Sequence, residues 1–223
     1  GGMIKSGEAL ESMGKVDTIA FDKTGTLTNG NLIVKDIYPF TGDFDQAALL
    51  QLTASAEGYS EHPLAKAVTA YAKQEKLELL AVEDFQMFPG RGISAVIGRE
   101  KIFCGNAAFL GEQQIAIDST AKQVLERFGK EGKAVILVAN AKSLLGAVTL
   151  SDTLRNTAAD MIGSLHKAGV HVVLLTGDHK QSAEYFAKQA GIKDVHAGLL
   201  PEQKVSEITA LQTAGKTVCM IGD

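Results

Sequence analysis

Three short apolar runs along the chain are each followed at once by polar and glycine residues. They occupy residues 16–21, 170–175 and 216–221. Apolar runs of this length, partly β-branched, are typical of strands that are buried on both faces of a parallel sheet. Open α/β sheets bind their ligands at the carboxyl ends of such strands. The pattern therefore predicts that the polar residues after these runs carry the chemistry.

Helical periodicity fills the spaces between the later runs. Residues 157–168 have apolar positions on one helical face, and Gly169 follows as a helix terminator. Residues 181–190 and 203–214 show the same spacing. The alternation of strands and helices predicts an α/β fold with a doubly wound parallel sheet.

The middle of the chain has a different pattern, with two helices followed by short alternating strands. The predicted helices are 45–57, 62–75 and 119–129, and the predicted strands are 85–88, 93–97, 101–104, 134–138 and 144–150. This mixture indicates an α+β domain inserted into the α/β domain. We therefore predict one domain from residues 1–34 and 143–223, an inserted domain at 35–142, and hinge strands near 31–36 and 140–146.

Composition excludes several classes of protein. The formal net charge of −4, without blocks of basic residues, argues against a nucleic-acid or anionic-membrane partner. Cys104 and Cys219 lie far apart and are expected to be reduced thiols. No run of about 18 apolar residues is long enough to span a bilayer. Because the chain stops directly after an apolar run, we expect it to be a piece of a longer protein.

The first strand-like run leads into the heptad Asp22-Lys23-Thr24-Gly25-Thr26-Leu27-Thr28. A carboxylate can attack a phosphoryl group when cations offset the repulsion between the two negative charges. Backbone N–H groups in a turn can bind phosphate oxygens, and a threonine hydroxyl can add a further hydrogen bond. The heptad therefore suits a nucleophilic carboxylate that accepts a phosphate.

The whole heptad resembles the phosphorylation signature of P-type ATPases, and further motifs follow in that family's order. They are Thr176-Gly177-Asp178, Pro201-Glu202-Gln203-Lys204 and Gly222-Asp223. The resemblance implies that Asp22 is the nucleophile and that Mg²⁺ is bound by Asp22, Thr24 and Asp223. The other residues that it implies for the catalytic site are Lys23, Thr24, Thr26, Thr176, Gly177, Asp178 and Lys204.

This α/β domain also resembles the haloacid dehalogenase superfamily, which includes soluble phosphatases with a cap domain. Those phosphatases have a second aspartate two places after the nucleophile, which acts as a general acid–base. Here that place is Thr24, which favours the ATPase over the phosphatase. Asp152 and Arg155 also match a family position, and both an ion pair and a nucleotide contact stay open for them.

The inserted domain contains Ser60-Glu61-His62-Pro63-Leu64-Ala65, which resembles the His-Pro motif of heavy-metal-transporting P-type ATPases. The resemblance implies an adenine nucleotide site formed by Glu57, His62, Gly90, Gly92, Gly105 and Asn106. In this interpretation the glycines let the backbone approach the base closely. A simpler alternative for His62 is a capping side chain, because it precedes Pro63 at a predicted helix start.

Taken together, the resemblance implies the cytoplasmic ATP-binding and ATP-hydrolysing part of an integral membrane pump. ATP and Mg²⁺ are the implied cofactors. The implied partners are the pump's actuator and transmembrane domains and a heavy-metal cation bound by membrane helices. Cu⁺ is favoured, with Zn²⁺ or Cd²⁺ as the alternative. A nucleotide-binding module without turnover and a pump of another P-type branch are further alternatives.

Overall fold

The apolar runs become strands in the computed structural model, which describes residues 15–222. In chain order the elements are β1 (Thr18–Phe21), β2 (Thr28–Pro39), α1 (Gln46–Ala56), α2 (Pro63–Gln74), β3 (Glu83–Phe88), β4 (Gly92–Ile97), β5 (Glu100–Gly105), α3 (Ala107–Glu112), α4 (Ser119–Lys130), β6 (Ala134–Asn140), β7 (Leu144–Leu154), α5 (Ala158–Lys167), β8 (His171–Leu175), α6 (Lys180–Ala190), β9 (Asp194–His196), α7 (Pro201–Thr213) and β10 (Val218–Ile221). The six predicted helices are all present, with ends within two residues of the prediction.

The described residues divide into two units. The parallel-sheet unit takes in the described residues up to Asn31, the stretch Lys130–Gly132 and those from Asp152 onward. The antiparallel-sheet unit consists of Leu32–Gly129 and Lys133–Ser151. Strands β2 and β7 each run from one unit into the other. The assignment of separate functional domains to residues 1–34, 35–142 and 143–223 stays a prediction.

The parallel-sheet unit has helices on both faces of a sheet with strand order β10-β1-β8-β9. Strand β1 pairs in parallel with β8 on one side and with β10 on the other. Helices α5 and α6 bury apolar side chains on one face, with Ile162 fully buried. Helix α7 covers the other face, where Ile208 packs near Val173. This confirms the predicted doubly wound α/β fold, and it brings the ends of β1, β8 and β10 to one edge.

The antiparallel-sheet unit is a sheet with helices on its two sides. The strand order is β2-β7-β6-β5-β4-β3, and the pairs from β3 to β7 are antiparallel. Helices α1 and α2 pack on one side around Leu49 and Val68. Helices α3 and α4 pack on the other side around Phe109 and Ala121. Within residues 15–222 no helix is long and apolar enough to cross a membrane.

Candidate functional site

Asp22 lies directly after β1, at the carboxyl end of a central strand of the parallel sheet. The next residues, Lys23–Leu27, form a wide turn that closes when the Thr28 N–H donates to the Lys23 carbonyl. Gly25 has a φ of 76°, a left-handed conformation that suits glycine. The Lys23 N–H donates to Asp22 Oδ1 at 2.9 Å. The turn therefore presents the Asp22 carboxylate at the edge of the sheet.

Lys204 provides a positive charge next to this carboxylate. It lies in the first part of α7, and its Nζ donates to Asp22 Oδ1 at 3.3 Å. Both side chains are about one quarter exposed, at 24% and 25%. The order of the motifs predicted that Lys204 would lie near Asp22, and the structure places the two side chains together although they are 182 positions apart in the sequence. A cation in this position offsets the repulsion between a nucleophilic carboxylate and a phosphoryl group.

Lys23 points to a different carboxylate. Its ammonium forms an ion pair with Asp178, which follows β8. The ammonium also lies 4.6 Å from the centre of the Phe186 ring, within cation–π range. Lys23 is buried, so its charge is compensated inside the protein and links the ends of β1 and β8. The structure therefore places Lys23 and Asp178 together as one ion pair. Although Lys23 directly follows Asp22 in the sequence, this pair is separate from the one that Lys204 forms with Asp22.

The two predicted threonine donors are both buried. The Thr26 hydroxyl is inaccessible to solvent and has no hydrogen-bond partner among the described residues. The Thr176 hydroxyl accepts a hydrogen bond from the Asp178 N–H at 3.1 Å. Thr24, in contrast, is exposed on the turn. Buried donors without a protein partner are uncommon, so the Thr26 hydroxyl is a candidate donor to a ligand oxygen.

Asp152 and Arg155 bind the segment that follows Asp22. The Asp152 carboxylate accepts hydrogen bonds from the Gly30 N–H at 3.1 Å and from the Thr28 hydroxyl. The Arg155 guanidinium donates to the Gly25 carbonyl at 2.9 Å and to the Thr28 carbonyl at 3.2 Å. The sequence left an ion pair and a nucleotide contact open. In the structure both residues form hydrogen bonds with the turn and with the segment after it, and the nucleotide contact stays a prediction.

A cavity of about 450 Å³ lies within the antiparallel-sheet unit. All six residues predicted for the nucleotide site line it, namely Glu57, His62, Gly90, Gly92, Gly105 and Asn106. Much of the remaining lining is apolar, and includes Leu64, Ala65, Phe88, Ile93, Val135 and Ile136. A concave, mostly apolar site with a few polar groups is the usual form of a small-molecule site.

Glu57 lies at the C-terminal end of α1 and is only 6% exposed. Burial raises the pKa of its carboxyl group to about 7. The neighbouring Cys104 is fully buried, and burial, together with the Glu57 charge, raises the pKa of its thiol. Glu57 is therefore a buried carboxyl group that changes charge near neutral pH.

Replacing Glu57 with glutamine is expected to remove a pH dependence of stability. A carboxyl group whose pKa is raised on folding makes its full contribution to stability when the pH is below its pKa in the unfolded chain. That contribution is lost as the pH rises towards 7. Between pH 4.5 and pH 8, the free energy of unfolding should therefore fall by up to about 3 kcal/mol more in the unaltered chain than in Glu57→Gln. Denaturant titrations of both proteins measure this difference, and a constant difference across that range would contradict it.

His62 caps helix α2. Its Nδ1 accepts a hydrogen bond from the Leu64 N–H at 3.1 Å, and Pro63 occupies the first helical position. The alternative of a capping side chain is therefore realised, and it is compatible with a position on the cavity wall. Because Nδ1 accepts, the neutral ring carries its proton on Nε2, which is left to donate.

The glycines of the predicted nucleotide site have a packing role in this fold. Gly92 and Gly105 are paired across β4 and β5. A Cβ atom on Gly92 would lie 2.2 Å from the Cys104 carbonyl oxygen, and one on Gly105 would lie 2.3 Å from the Arg91 carbonyl oxygen. Gly90 has a φ of 75°, which side chains rarely adopt. The two paired glycines are thus needed by the protein's own backbone, whether or not a ligand is bound.

Asn106 has both side-chain groups engaged by the protein. Its Oδ1 accepts from the Phe109 N–H at 2.9 Å as the cap of α3, and its Nδ2 donates to the Gly90 carbonyl at 3.0 Å. These bonds fix the Gly90 turn against the start of α3. The direct nucleotide contact predicted for Asn106 stays a prediction, whereas its role in shaping the cavity wall is visible.

The predicted Mg²⁺ site is described only in part, because Asp223 lies outside the described residues. Asp22 presents a carboxylate at the edge of the sheet. Gly222, directly after β10, lies close to it, because a Cβ atom added to Gly222 would be 3.0 Å from the Cβ of Asp22. Among residues 15–222 no group of three or more His, Cys, Asp or Glu side chains could hold a metal ion. A single carboxylate fits Mg²⁺, which commonly completes its shell with phosphate oxygens and water.

Two residues at these sites were missed in the sequence. Phe186, on α6, carries no motif signal, and only the fold places its ring against Lys23. Arg91 lies between the predicted site residues Gly90 and Gly92, lines the cavity and forms an ion pair with Glu112. Its charge, in a predicted ligand site, is the signal that could have identified it.

Comparisons with known proteins agree with this architecture. Residues 16–223 match the family of haloacid dehalogenase-like hydrolases. A copper-exporting P-type ATPase of Staphylococcus aureus (strain bovine RF122 / ET3-1) is 43% identical over 221 residues. That match covers 99% of this chain and 27% of the relative, so the chain spans about a quarter of the length of the curated relatives it matches.

Solved structures give the same grouping. A zinc-transporting PIB-type ATPase in the E2.Pi state aligns with a TM-score of 0.79 and 38% identity, covering 100% of this chain and 36% of that one. The catalytic CPx-ATPase domain CopB-B aligns with a TM-score of 0.69 and 30% identity, covering 99% of this chain and 76% of that one. The chain therefore belongs to the haloacid dehalogenase-like hydrolases and, within them, to the heavy-metal-transporting P-type ATPases.

Proposed function

We propose that this chain is the cytoplasmic, ATP-binding and phosphate-accepting part of a membrane pump that exports a transition-metal cation. The observation that carries the proposal is the Asp22 carboxylate, held at the end of β1 with Lys204 Nζ at 3.3 Å. The second support is the cavity that is lined by all six residues predicted for the nucleotide site. A phosphate acceptor and a nucleotide cavity in one chain are what an aspartyl-phosphate mechanism requires.

In the proposed step, an Asp22 carboxylate oxygen bonds to the γ-phosphorus of ATP as the bond from that phosphorus to the β–γ bridging oxygen breaks. ADP leaves with the electron pair of the broken bond, and the product is an acyl phosphate on Asp22. Lys204 offsets the negative charge, and the Thr26 hydroxyl donates to a phosphate oxygen. Thr176 and Gly177 add a hydroxyl and an amide. Mg²⁺, when bound by Asp22 and Asp223 with Thr24, neutralises phosphate charge.

Thr24 separates this proposal from a soluble phosphatase of the same superfamily. A phosphatase needs a general acid–base near the acyl phosphate to complete turnover. At the position two residues after Asp22 the chain has an exposed threonine, which cannot serve as that group at neutral pH. The acyl phosphate on Asp22 should therefore persist long enough to drive a conformational change.

For the transported cation, Cu⁺ is the first candidate and Zn²⁺ or Cd²⁺ the second. The first candidate draws on the copper-exporting relative at 43% identity. The second draws on the zinc-transporting structure at 38% identity. We propose that the cation binds to membrane helices of the same pump, and that actuator and transmembrane domains are its partners. Metal-stimulated ATP turnover of the whole pump, compared for Cu⁺ and Zn²⁺, decides between the candidates.

Adenine nucleotide binding by this chain tests the proposed role of the cavity. Replacing His62 with asparagine keeps a side-chain cap on α2 but removes the imidazole from the cavity wall. The variant should bind ATP about 1–2 kcal/mol more weakly, as expected for one lost polar contact. Calorimetric titration measures the change, and His62→Ala, which also loses the cap, should in addition unfold at a lower temperature.

The control for this comparison is the stability of helix α2, which the variant must retain. Unfolding curves that coincide for His62→Asn and the unaltered chain show that α2 is intact in the variant. Unchanged ATP affinity in an intact His62→Asn protein would remove His62 from the nucleotide site. Absence of any adenine nucleotide binding by the unaltered chain would reject the proposed role of the cavity.

A further inference from the structure

Arg91 places a positive charge at the mouth of the cavity whose buried wall holds Glu57. The Arg91 side chain is 52% exposed, whereas Glu57 is 6% exposed. Of the residues that line this cavity, all within the described part of the chain, Arg91 is the only lysine or arginine. The cavity is therefore polarised, with a buried carboxyl group inside and a guanidinium at the solvent side.

The backbone of Arg91 is fixed although its side chain is exposed. Its N–H donates to the Phe88 carbonyl at 3.0 Å, and its carbonyl accepts from the Asn106 N–H at 3.0 Å. The two flanking glycines line the same cavity. These bonds hold the origin of the Arg91 side chain at the rim, so its guanidinium can reach a ligand group that leaves the cavity.

The guanidinium is paired with Glu112, which lies at the end of α3. Both partners are substantially exposed, at 52% and 43%, and an exposed ion pair of this kind contributes little, about 0–1 kcal/mol. A phosphate group offers a guanidinium two oxygens in a matching bidentate geometry and a higher charge. An anionic phosphate at the rim can therefore displace Glu112 from Arg91.

We propose that Arg91 contacts the phosphates of a nucleotide whose base occupies the cavity, and that Glu112 competes with those phosphates for the guanidinium. The inference rests on the proposed nucleotide-binding function of the cavity. It assigns Arg91 to affinity for the phosphate chain, separately from the residues that surround the base. It also makes Glu112 a residue that weakens nucleotide binding by this chain.

Titration calorimetry with adenosine and ADP, in the absence of Mg²⁺, separates the two parts of the ligand. Arg91→Gln should lower the affinity for ADP about tenfold or more, the loss expected for one charge-assisted hydrogen bond, and leave adenosine binding unchanged. Arg91→Lys keeps the charge and should recover part of the loss. Glu112→Gln should raise the ADP affinity about two- to threefold, and this gain should disappear in the double variant Arg91→Gln/Glu112→Gln.

Equal losses for adenosine and ADP in Arg91→Gln would show a structural role and overturn the proposal. An ADP affinity that depends on neither Arg91 nor Glu112, in a chain that binds adenosine, would overturn it while leaving the proposed function standing. Failure of the unaltered chain to bind either ligand would overturn both. If Arg91→Gln does not fold, Glu112→Gln decides the question, because an unchanged or lower ADP affinity in that variant contradicts the competition.

Discussion

If the proposed function is correct, replacing Asp22 with asparagine abolishes phosphoenzyme formation in the proposed full-length pump. Asparagine is nearly isosteric with aspartate, so its Oδ1 can still accept the hydrogen bonds from the Lys23 N–H and from Lys204. What disappears is the anionic nucleophile, because the neutral oxygen of an amide is a far weaker nucleophile than a carboxylate oxygen. Labelling with γ-³²P-ATP should fall to background, while ATP binding to the cavity stays within about twofold of normal.

A matched control is Asp160→Asn, which makes the same chemical change at an exposed position on α5. This variant should be labelled like the unaltered protein. The label in the unaltered protein should survive acid and be removed by hydroxylamine, as expected for an acyl phosphate. Acid-stable label that persists in Asp22→Asn would place the nucleophile elsewhere.

Replacing Gly92 with alanine is expected to destabilise the antiparallel-sheet unit strongly. The added Cβ would lie 2.2 Å from the Cys104 carbonyl oxygen, 2.7 Å from Gly105 Cα and 2.9 Å from a ring carbon of Phe109. Two of these atoms belong to the paired strand, so the methyl group cannot be accommodated by a side-chain rotation. Overpacking typically costs about 1–3 kcal/mol, and because the two shortest contacts here are with backbone atoms we expect a loss of about 3 kcal/mol. Denaturant unfolding measures the change in the free energy of unfolding.

Gly111→Ala is the matched control, because Gly111 lies in α3 of the same unit and a methyl group there would have open space around it, with no neighbouring atom within 4 Å. An alanine at this position should stabilise the protein by up to about 1 kcal/mol, since it restricts the unfolded chain. The comparison also separates two explanations for Gly92. If Gly92→Ala folds with normal stability and only loses ATP affinity, the glycine serves ligand approach and the packing explanation is wrong.

The strands and helices that carry the parallel sheet were predictable because their signals are continuous. The runs that became β1, β8 and β10 are mostly apolar, and the helices between them have regular spacing. Helix α3 and strand β9 were missed because they are only six and three residues long, too short to show a period. Strand β2 was predicted only as a hinge strand near 31–36, since nearly all of its twelve residues are exposed or only partly buried and carry no long apolar run.

The motifs identified which residues meet, but not which atoms face each other. Lys204 was predicted to lie near Asp22, and the structure places it there because the start of α7 lies next to the end of β1. The partner of Lys23 could not be read from the heptad, since it is set by Asp178 and by the ring of Phe186 from a distant helix. Likewise, the contacts of Gly92 depend on its pairing with β5, which spacing along the chain does not reveal.

The most direct test of the central claim is to locate the phosphorylated residue in the sequence. The proposed full-length pump is incubated with ATP and Mg²⁺, quenched in acid, reduced with borohydride and analysed by peptide mass spectrometry. Borohydride converts an aspartyl phosphate into homoserine, which marks the acceptor. We expect homoserine at position 22, and none there when ATP is omitted. Homoserine at another aspartate, or a stable phosphate ester on a threonine such as Thr24 or Thr26, would contradict the assignment of Asp22 as the phosphate acceptor.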